Sequence, residues 1–156
     1  MTAALLLFPD AAYWRQVKRC DARARALADE HYSRQTPGAD EFMSSGKTFV
    51  LLGADDGAVW GVIENRVPGG TEVRWRCSIF RNASQARRSS ELIREATALT
   101  YAHWERRYHG RPSVPLTTEV DPSKTRRKRD PGRCFLRAGW RRIDVRRGLV
   151  ILEAPP

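Results

Sequence analysis

The spacing of apolar residues along the chain predicts two helices of functional interest. Over Ala11–Glu30, apolar residues recur every three or four positions with Arg and Asp between them, which is the period of an amphipathic helix. This helix is predicted to end at the polar row "HYSR", His31–Arg34, before the loop "QTPG". A second helix is predicted to begin at Ser89 or Ser90, either of which can act as its N-cap, and to run to about Tyr108.

Runs rich in Val, Ile, Thr and aromatic residues predict the strands of one sheet. These runs cover residues 48–54, 58–66, 71–80 and 116–121, and a closing hairpin over 140–153 turns at "RRG". A short helix begun by Pro131 precedes the hairpin. The helix between the third and fourth runs forms a crossover, which predicts parallel neighbours within an otherwise antiparallel sheet. The expected class is therefore α/β of the α+β type, with a mixed, mostly antiparallel sheet and flanking helices.

Length and composition place the chain among ordinary intracellular domains. Its 156 residues match one domain, residues 1–156, with a single core. We expect neither a secretory signal nor a membrane span, since "MTAALLLF" lacks a basic start and no apolar run approaches roughly 20 residues. The cysteines Cys20, Cys77 and Cys134 form no CxxC pair, so neither disulfides nor a thiolate zinc site is indicated. A reducing cytoplasm is the expected location, with the oligomeric state left open.

Most of the net charge of +10 lies in one segment. From Ser123 to Arg147, eleven Lys or Arg face two Asp, which gives +9 within 25 residues. Such a segment favours a polyanionic partner, because every phosphate that is neutralised releases condensed counterions. The predicted nucleic-acid contacts are Arg34, Lys124, Arg126, Arg127, Lys128, Arg129 and Arg133. A solvated basic face or a small anionic ligand are the alternatives.

Two family resemblances follow from these patterns. The order of the elements, with "PGRCFLRAGW" before the last strands, resembles the GNAT acyltransferase fold. The phrases "HYSRQTPG", "VWGVIENR", "SIFRNASQARRSSELIREA", "TEVDPSK" and "DPGRCFLRAGW" together resemble the Mom family of phage DNA-modification proteins. That resemblance implies a GNAT-like enzyme that alters the N6 amine of adenine in duplex DNA, in the cytoplasm of the host cell if the protein is encoded by a phage.

The GNAT resemblance implies an acetyl-CoA or other acyl-CoA site where the helix after the long strand begins. The sequence departs from that family's pattern, because "RNASQARRSSEL" replaces the glycine-rich Q/R-x-x-G-x-G/A loop. The start of a helix can still bind phosphate through free backbone N–H groups and nearby cations. The predicted donor-binding residues are Arg81, Arg87, Arg88, Ser89 and Ser90. A simple N-cap with solvated arginines is the alternative.

His31, Tyr32 and Asp121 are the predicted catalytic trio. Asp121 ends the strand at which the parallel pair is expected to open, with Glu119 two residues before it. A histidine, a tyrosine and a carboxylate can act as base, acid and orienting group, and the same three residues can ligate iron. The Mom family product is a carbamoylmethyl group, which plain acyl transfer does not make, so iron is a second candidate cofactor. The structural alternative is that His31 caps the end of the helix and that Tyr32 is a core residue with a solvent-exposed hydroxyl group.

Two other functions remain open from the sequence. An ordinary GNAT N-acetyltransferase acting on a small amine or a protein is the first, and the missing glycine loop counts against it. A DNA-binding protein without catalysis is the second. His103, on the apolar face of the second helix, is expected to be a core histidine with its hydrogen bonds satisfied, and Trp60, Trp75 and Trp104 are expected in the core.

Overall fold

A computed structural model describes residues 13–31, 43, 46–67, 69–84, 86–124 and 132–156. These residues form a seven-stranded sheet with helices on both faces, which is the predicted α+β class. The strands are β1 (Trp14–Val17), β2 (Lys47–Gly53), β3 (Ala58–Arg66), β4 (Val73–Asn82), β5 (Thr117–Val120), β6 (Arg141–Arg146) and β7 (Leu149–Glu153). The helices are α1 (Ala22–Asp29), α2 (Ser89–Tyr108) and α3 (Arg133–Arg137).

The sheet has the order β1-β2-β3-β4-β5-β7-β6. Its neighbouring strands are antiparallel except for β4 and β5, which pair in parallel through Arg76 with Thr117 and Cys77 with Thr118. Helix α2 makes the connection between them, so the predicted crossover is confirmed. In the part of the chain that the structure describes, no helix combines the length and apolar character needed to cross a membrane.

The predicted helix over Ala11–Glu30 is wrong in its first half. Residues of β1 pair antiparallel with β2, with Trp14 opposite Gly53. The helix begins only at Ala22, because the Asp21 carboxylate accepts hydrogen bonds from the backbone N–H groups of Arg23 and Ala24 at 3.0 and 3.1 Å. Asp21 is thus an N-cap, and the apolar spacing before it was that of a short strand rather than of a helix turn.

Helix α2 supplies the larger core. Leu92, Ile93 and Ala96 are fully buried against the sheet, together with Trp60 and Trp104. The indole N–H of Trp60 donates to Thr100 Oγ1 at 3.0 Å, and that of Trp104 donates to Glu64 Oε1 at 2.9 Å. The prediction that Trp60, Trp75 and Trp104 are core residues is confirmed.

His103 is a core residue of α2. Its ring is buried and stacks on Phe49, with centroids 4.4 Å apart. The predicted core position is confirmed, and the Nδ1 atom is buried without a hydrogen-bond partner among the described residues. Burial, with the nearby positive charges of Arg106 and Arg107, lowers the pKa of His103.

Helix α1 covers the opposite face of the sheet. Ala24 and Ala28 pack in a second cluster with Val50, Leu52 and Ile79, whereas the alternate strand residues face α2. Because successive strand residues point to opposite faces, both sides of the central strands are buried. The end of α1 lies beside the second half of β4, and this contact positions the site described next.

Candidate active site

The two parallel strands separate halfway along β4. Val62 of β3 pairs with Cys77 and Gly61 pairs with Ile79, so Ser78 is an extra residue in β4. Such a β-bulge bends its strand and is common beside active sites. The pairing of β4 with β5 ends at Cys77 and Thr118, directly before the bulge. Beyond it, β4 remains paired with β3 while its other edge faces a cavity.

This cavity has a volume of about 550 Å³. It is enclosed by the end of α1, the second half of β4, the first residue of α2, strand β5 and the start of α3. Small-molecule sites usually measure roughly 300–1,000 Å³ and lie where strands of a sheet diverge. The position and the size of the cavity are therefore those of a ligand site.

His31 forms one wall of the cavity at the end of α1. Its backbone N–H donates to Ala28 O at 2.9 Å, which holds the residue against the last helical turn. Burial, helped by the positive charge of Arg81, lowers the pKa of His31 to about 4, and a backbone hydrogen bond with Phe80 opposes this shift only in part. The imidazole is consequently neutral at pH 7 and has a ring nitrogen able to accept a proton.

The other two members of the predicted trio are placed differently. Tyr32 lies outside the described residues. The Asp121 carboxylate accepts hydrogen bonds from the Ser123 backbone N–H at 3.0 Å and the Ser123 hydroxyl at 2.6 Å, and these bonds lower its pKa. The cavity wall on this strand is formed by Glu119 and Val120 instead. Glu119 forms an ion pair with Arg76 at 3.7 Å.

Four of the five predicted donor-binding residues lie at the cavity or at the helix start beside it. Ser89 lines the cavity and is the first residue of α2, followed by Ser90. Arg88 is the N-cap residue of α2 and is exposed. Its side chain makes no hydrogen bond to the backbone N–H groups of the first helical turn. Arg81 also lines the cavity and pairs with Glu30 at 2.8 Å.

Arg87 is engaged elsewhere. Its guanidinium forms a two-bond pair with Glu95 on α2 and lies over the Tyr13 ring, 5.9 Å from the centroid. The Arg87 carbonyl accepts a hydrogen bond from Asn82 Nδ2 at 3.0 Å. Arg87 thus fixes the loop before α2, and this side chain is directed to carboxylates rather than to the cavity.

The predicted nucleic-acid residues fall largely outside the described ranges. Among them, the structure describes Lys124, which lines the cavity, and Arg133, which is exposed at the start of α3. The remaining predicted contacts lie outside the described residues: Arg34, Arg126, Arg127, Lys128 and Arg129. Of the predicted contacts that the structure describes, Lys124 therefore lies at the cavity and Arg133 is next in sequence to lining residues.

A metal site is not assembled by the described residues. No group of three or more His, Cys, Asp or Glu in the described ranges is arranged to hold a metal ion. Asp121 uses one carboxylate oxygen for both bonds to Ser123, and Tyr32 is outside those ranges. Iron bound by His31, Tyr32 and Asp121 stays a prediction, and no chemical step is derived through it.

The sequence reasoning missed several cavity residues. Cys77 and Cys134 both line the cavity, although they are 57 positions apart in a chain without a cysteine motif. Burial raises the pKa of the Cys77 thiol above its usual range, which favours the neutral thiol over a thiolate there. Asn82 was missed as well, and its Nδ2 bonds to the Arg87 carbonyl and to Ser89 Oγ hold the entrance of α2. An Asn at a strand end before a Ser-rich loop is the signal that could have identified it.

Comparison of the chain with known protein families, curated proteins and solved structures found no match.

Proposed function

We propose that this protein is a transferase that modifies the N6 amine of adenine in DNA, with a Mom-like activity on a GNAT-like fold. The observation that carries the proposal is the cavity between the separated strands β4 and β5. It combines a neutral imidazole at His31 with the start of a long helix at Ser89. Transfer of a group from a phosphorylated donor to an amine needs a base that accepts the amine proton and a site that binds the donor phosphates. His31 and the N-terminus of α2 can fill these two roles at one cavity.

The neutral histidine suits the chemistry of an aromatic amine. The lone pair of the adenine N6 amine is delocalised into the ring, so the nitrogen becomes a useful nucleophile only as it loses a proton. His31 accepts that proton while the new bond to N6 forms. A pKa of about 4 keeps nearly all of the imidazole in the accepting form at neutral pH, although it also weakens the base.

An acyl-CoA fits the residues at the other end of the cavity. When bound, it would supply an electrophilic carbonyl carbon and a thiolate leaving group, and the product would be an N6-acyl adenine; a carbamoylmethyl product would need a different donor. The N–H groups at Ser89 and Ser90 would hold its phosphates, and the exposed Arg88 adds positive charge at the same helix end. Beyond Ser78, β4 is no longer paired with β5, so its backbone groups on that edge, apart from the one bonded to His31 at Phe80, can contact the amide bonds of the donor.

DNA as the acceptor is supported by charge and by location. Two of the predicted nucleic-acid contacts support this: Lys124 lines the cavity, and Arg133 is exposed between the lining residues Gly132 and Cys134. Cationic side chains there can track the phosphates on both sides of a target nucleotide. A stacked adenine cannot present N6 to a cavity, so we expect the base to be flipped out of the duplex, at a cost of a few kcal/mol.

The test is nucleoside mass spectrometry of DNA from cells that express the protein, compared with cells carrying an empty vector. The proposal predicts a modified 2′-deoxyadenosine only when the protein is present. If the DNA is unmodified and the protein acetylates a small amine or another protein, the proposed function is wrong and the protein is an ordinary N-acetyltransferase. Tight DNA binding with unmodified nucleosides would replace the proposed function with a non-catalytic DNA-binding role.

A further inference from the structure

Strand β6 forms an edge of the sheet, and all six of its residues are exposed. Sheet edges usually avoid apolar side chains, because an open edge attracts other chains. Here Ile143 and Val145 are 43% and 50% exposed. With Leu136 of α3, they are the large apolar side chains that are exposed in the described ranges. Arginines flank these apolar residues in the sequence. Exposed apolar side chains among positive charges indicate a surface that binds a partner.

A second bulge sorts the residues of β6 between the two faces of the sheet. Arg142 pairs with Leu152 and Asp144 pairs with Ile151, so Ile143 is the extra residue. Paired residues share a face of an antiparallel sheet. Leu152 and Val150 belong to the core on the α2 side, so Arg142 and Val145, which pair with them, lie on that side too. Without the bulge, residues three apart would lie on opposite faces.

The face of the hairpin away from α2 is electrically balanced. Arg141 pairs in register with Glu153 and forms an ion pair with it. Arg146 forms an ion pair with Asp144 at 2.7 Å. Each positive charge on this face is therefore matched by a carboxylate of the same hairpin.

The α2 side of the hairpin carries positive charge without such partners. Helix α3 packs on this side, since its Phe135 shares the core with Leu152. Its arginines Arg133 and Arg137 are exposed beside the hairpin, as are Arg142 and, in the turn, Arg147. Among the described residues, none of these four guanidinium groups has an ion-pair partner. We call the four arginines, with Leu136 and Val145, the hairpin surface.

We propose that the hairpin surface contacts the DNA duplex beside the target nucleotide. This inference rests on the proposed function and, apart from Arg133, names residues that are not among the nucleic-acid contacts predicted from the sequence. Four unpaired guanidinium groups match DNA phosphates, and a two-stranded β-ribbon fits the major groove, where apolar side chains contact thymine methyl groups. A second copy of the chain is a poorer occupant, because a two-fold interface would place the same unpaired arginines against each other.

The test compares two double variants that remove the same charge, one from arginines of the hairpin surface that have no ion-pair partner among the described residues and one from the ion-paired arginines of the opposite face. Binding to a duplex oligonucleotide is measured against salt concentration for the wild type, for R142Q with R147Q, and for R141Q with R146Q. The first double should lower the slope of log affinity against log salt by roughly 2, since two phosphate contacts are lost. The second should leave the slope within experimental error of the wild type. Thermal unfolding checks that both variants are folded.

The outcomes separate this inference from the proposed function. If the wild type binds DNA and the two double variants have equal slopes, the hairpin surface is not a DNA contact, while the proposed function stands. If the wild type shows no salt-dependent DNA binding, both proposals fail. A wild-type dimer in sedimentation that Val145→Ser dissociates, with DNA binding unchanged, would make this surface an interface between copies.

Discussion

Among the single residues, His31 is the most important, because the proposed proton transfer requires that its imidazole remain uncharged. The residue closes α1, lines the cavity and lies near Arg81, whose positive charge disfavours protonation. Buried histidines that stay neutral lower the stability of a protein in acid, because the unfolded chain takes up a proton that the folded chain refuses. The state of His31 can therefore be read from stability without any substrate.

His31→Gln should make the protein less sensitive to acid. The pKa of His31 is about 4 in the folded chain against 6.5 for an ordinary histidine, so between these values only the unfolded chain binds the proton. Stability is thereby lost as the pH falls from 6.5 to 4, by at most about 3 kcal/mol for a shift of this size. Denaturant unfolding at pH 7 and pH 4.5 measures the loss in each protein.

Other groups titrate over the same range and serve as an internal reference. The lowered pKa of His103 and those of carboxylates such as Asp55 also reduce stability in acid. They are present in both proteins, so their effect cancels in the difference between wild type and variant. An equal loss of stability in the two proteins would show that the His31 imidazole is not held in the neutral state.

At the scale of elements, two bulges and one helix end organise the functional surfaces. The extra residue Ser78 lets β4 leave β5 and opens the cavity, whereas the extra residue Ile143 turns Arg142 and Val145 to one face. Helix α2 begins at Ser89 beside the cavity, without a side-chain cap from Arg88. The start of α2 was predicted from its capping pattern, whereas the two bulges concern backbone pairing, which side-chain patterns in a sequence do not report.

A negative charge at the start of α2 should prevent donor binding while leaving the helix stable. Ser89→Glu places a carboxylate at the first helical position, where the helix dipole favours it by roughly 0.3–1 kcal/mol. The same carboxylate repels phosphates, so isothermal titration with acetyl-CoA should show heat for the wild type and none for the variant. The control Ser113→Glu adds the same charge before β5, at the far end of the strand pair.

That control should bind acetyl-CoA as the wild type does. No heat with the wild type would remove acetyl-CoA as the donor, and unchanged binding by Ser89→Glu would move the phosphate site away from α2. Thermal unfolding of the variant should show a midpoint close to that of the wild type, since the favourable charge at the helix start offsets the loss of the Asn82 bond to Ser89 Oγ.

The elements with strong local signals were predictable from sequence. The bounds of β3 and α2 agree with the prediction, and the hairpin turns where "RRG" predicted, with Arg147 and Gly148 both at positive φ. The first helix was not predicted correctly, because Trp14 and Val17 are three positions apart and fit a helix as well as a short strand. The Asp21 cap was the signal that separated the two elements.

At the scale of the whole molecule, the candidate site depends on contacts between distant segments. His31, Phe80 and Cys134 meet only after the sheet has formed and α1 and α3 have packed on opposite faces. The sequence could indicate His31 as a candidate but could not place Cys77 or Cys134 beside it. Neither bulge has a composition signal, since Ser78 and Ile143 are ordinary strand residues. The cavity therefore had to be observed in the folded chain.

We propose that adenine modification occurs at the cavity between β4 and β5. Nucleoside mass spectrometry of DNA from cells that express one of three proteins is the direct test. Cells expressing the wild type, His31→Ala or His109→Asn supply the DNA, and modified 2′-deoxyadenosine is quantified in each. His109 follows the last residue of α2 and adopts a left-handed conformation that Asn tolerates, roughly 30 Å along the helix from Ser89. The account predicts modification with the wild type and His109→Asn and none with His31→Ala, although the latter remains folded. Full modification by His31→Ala would contradict it.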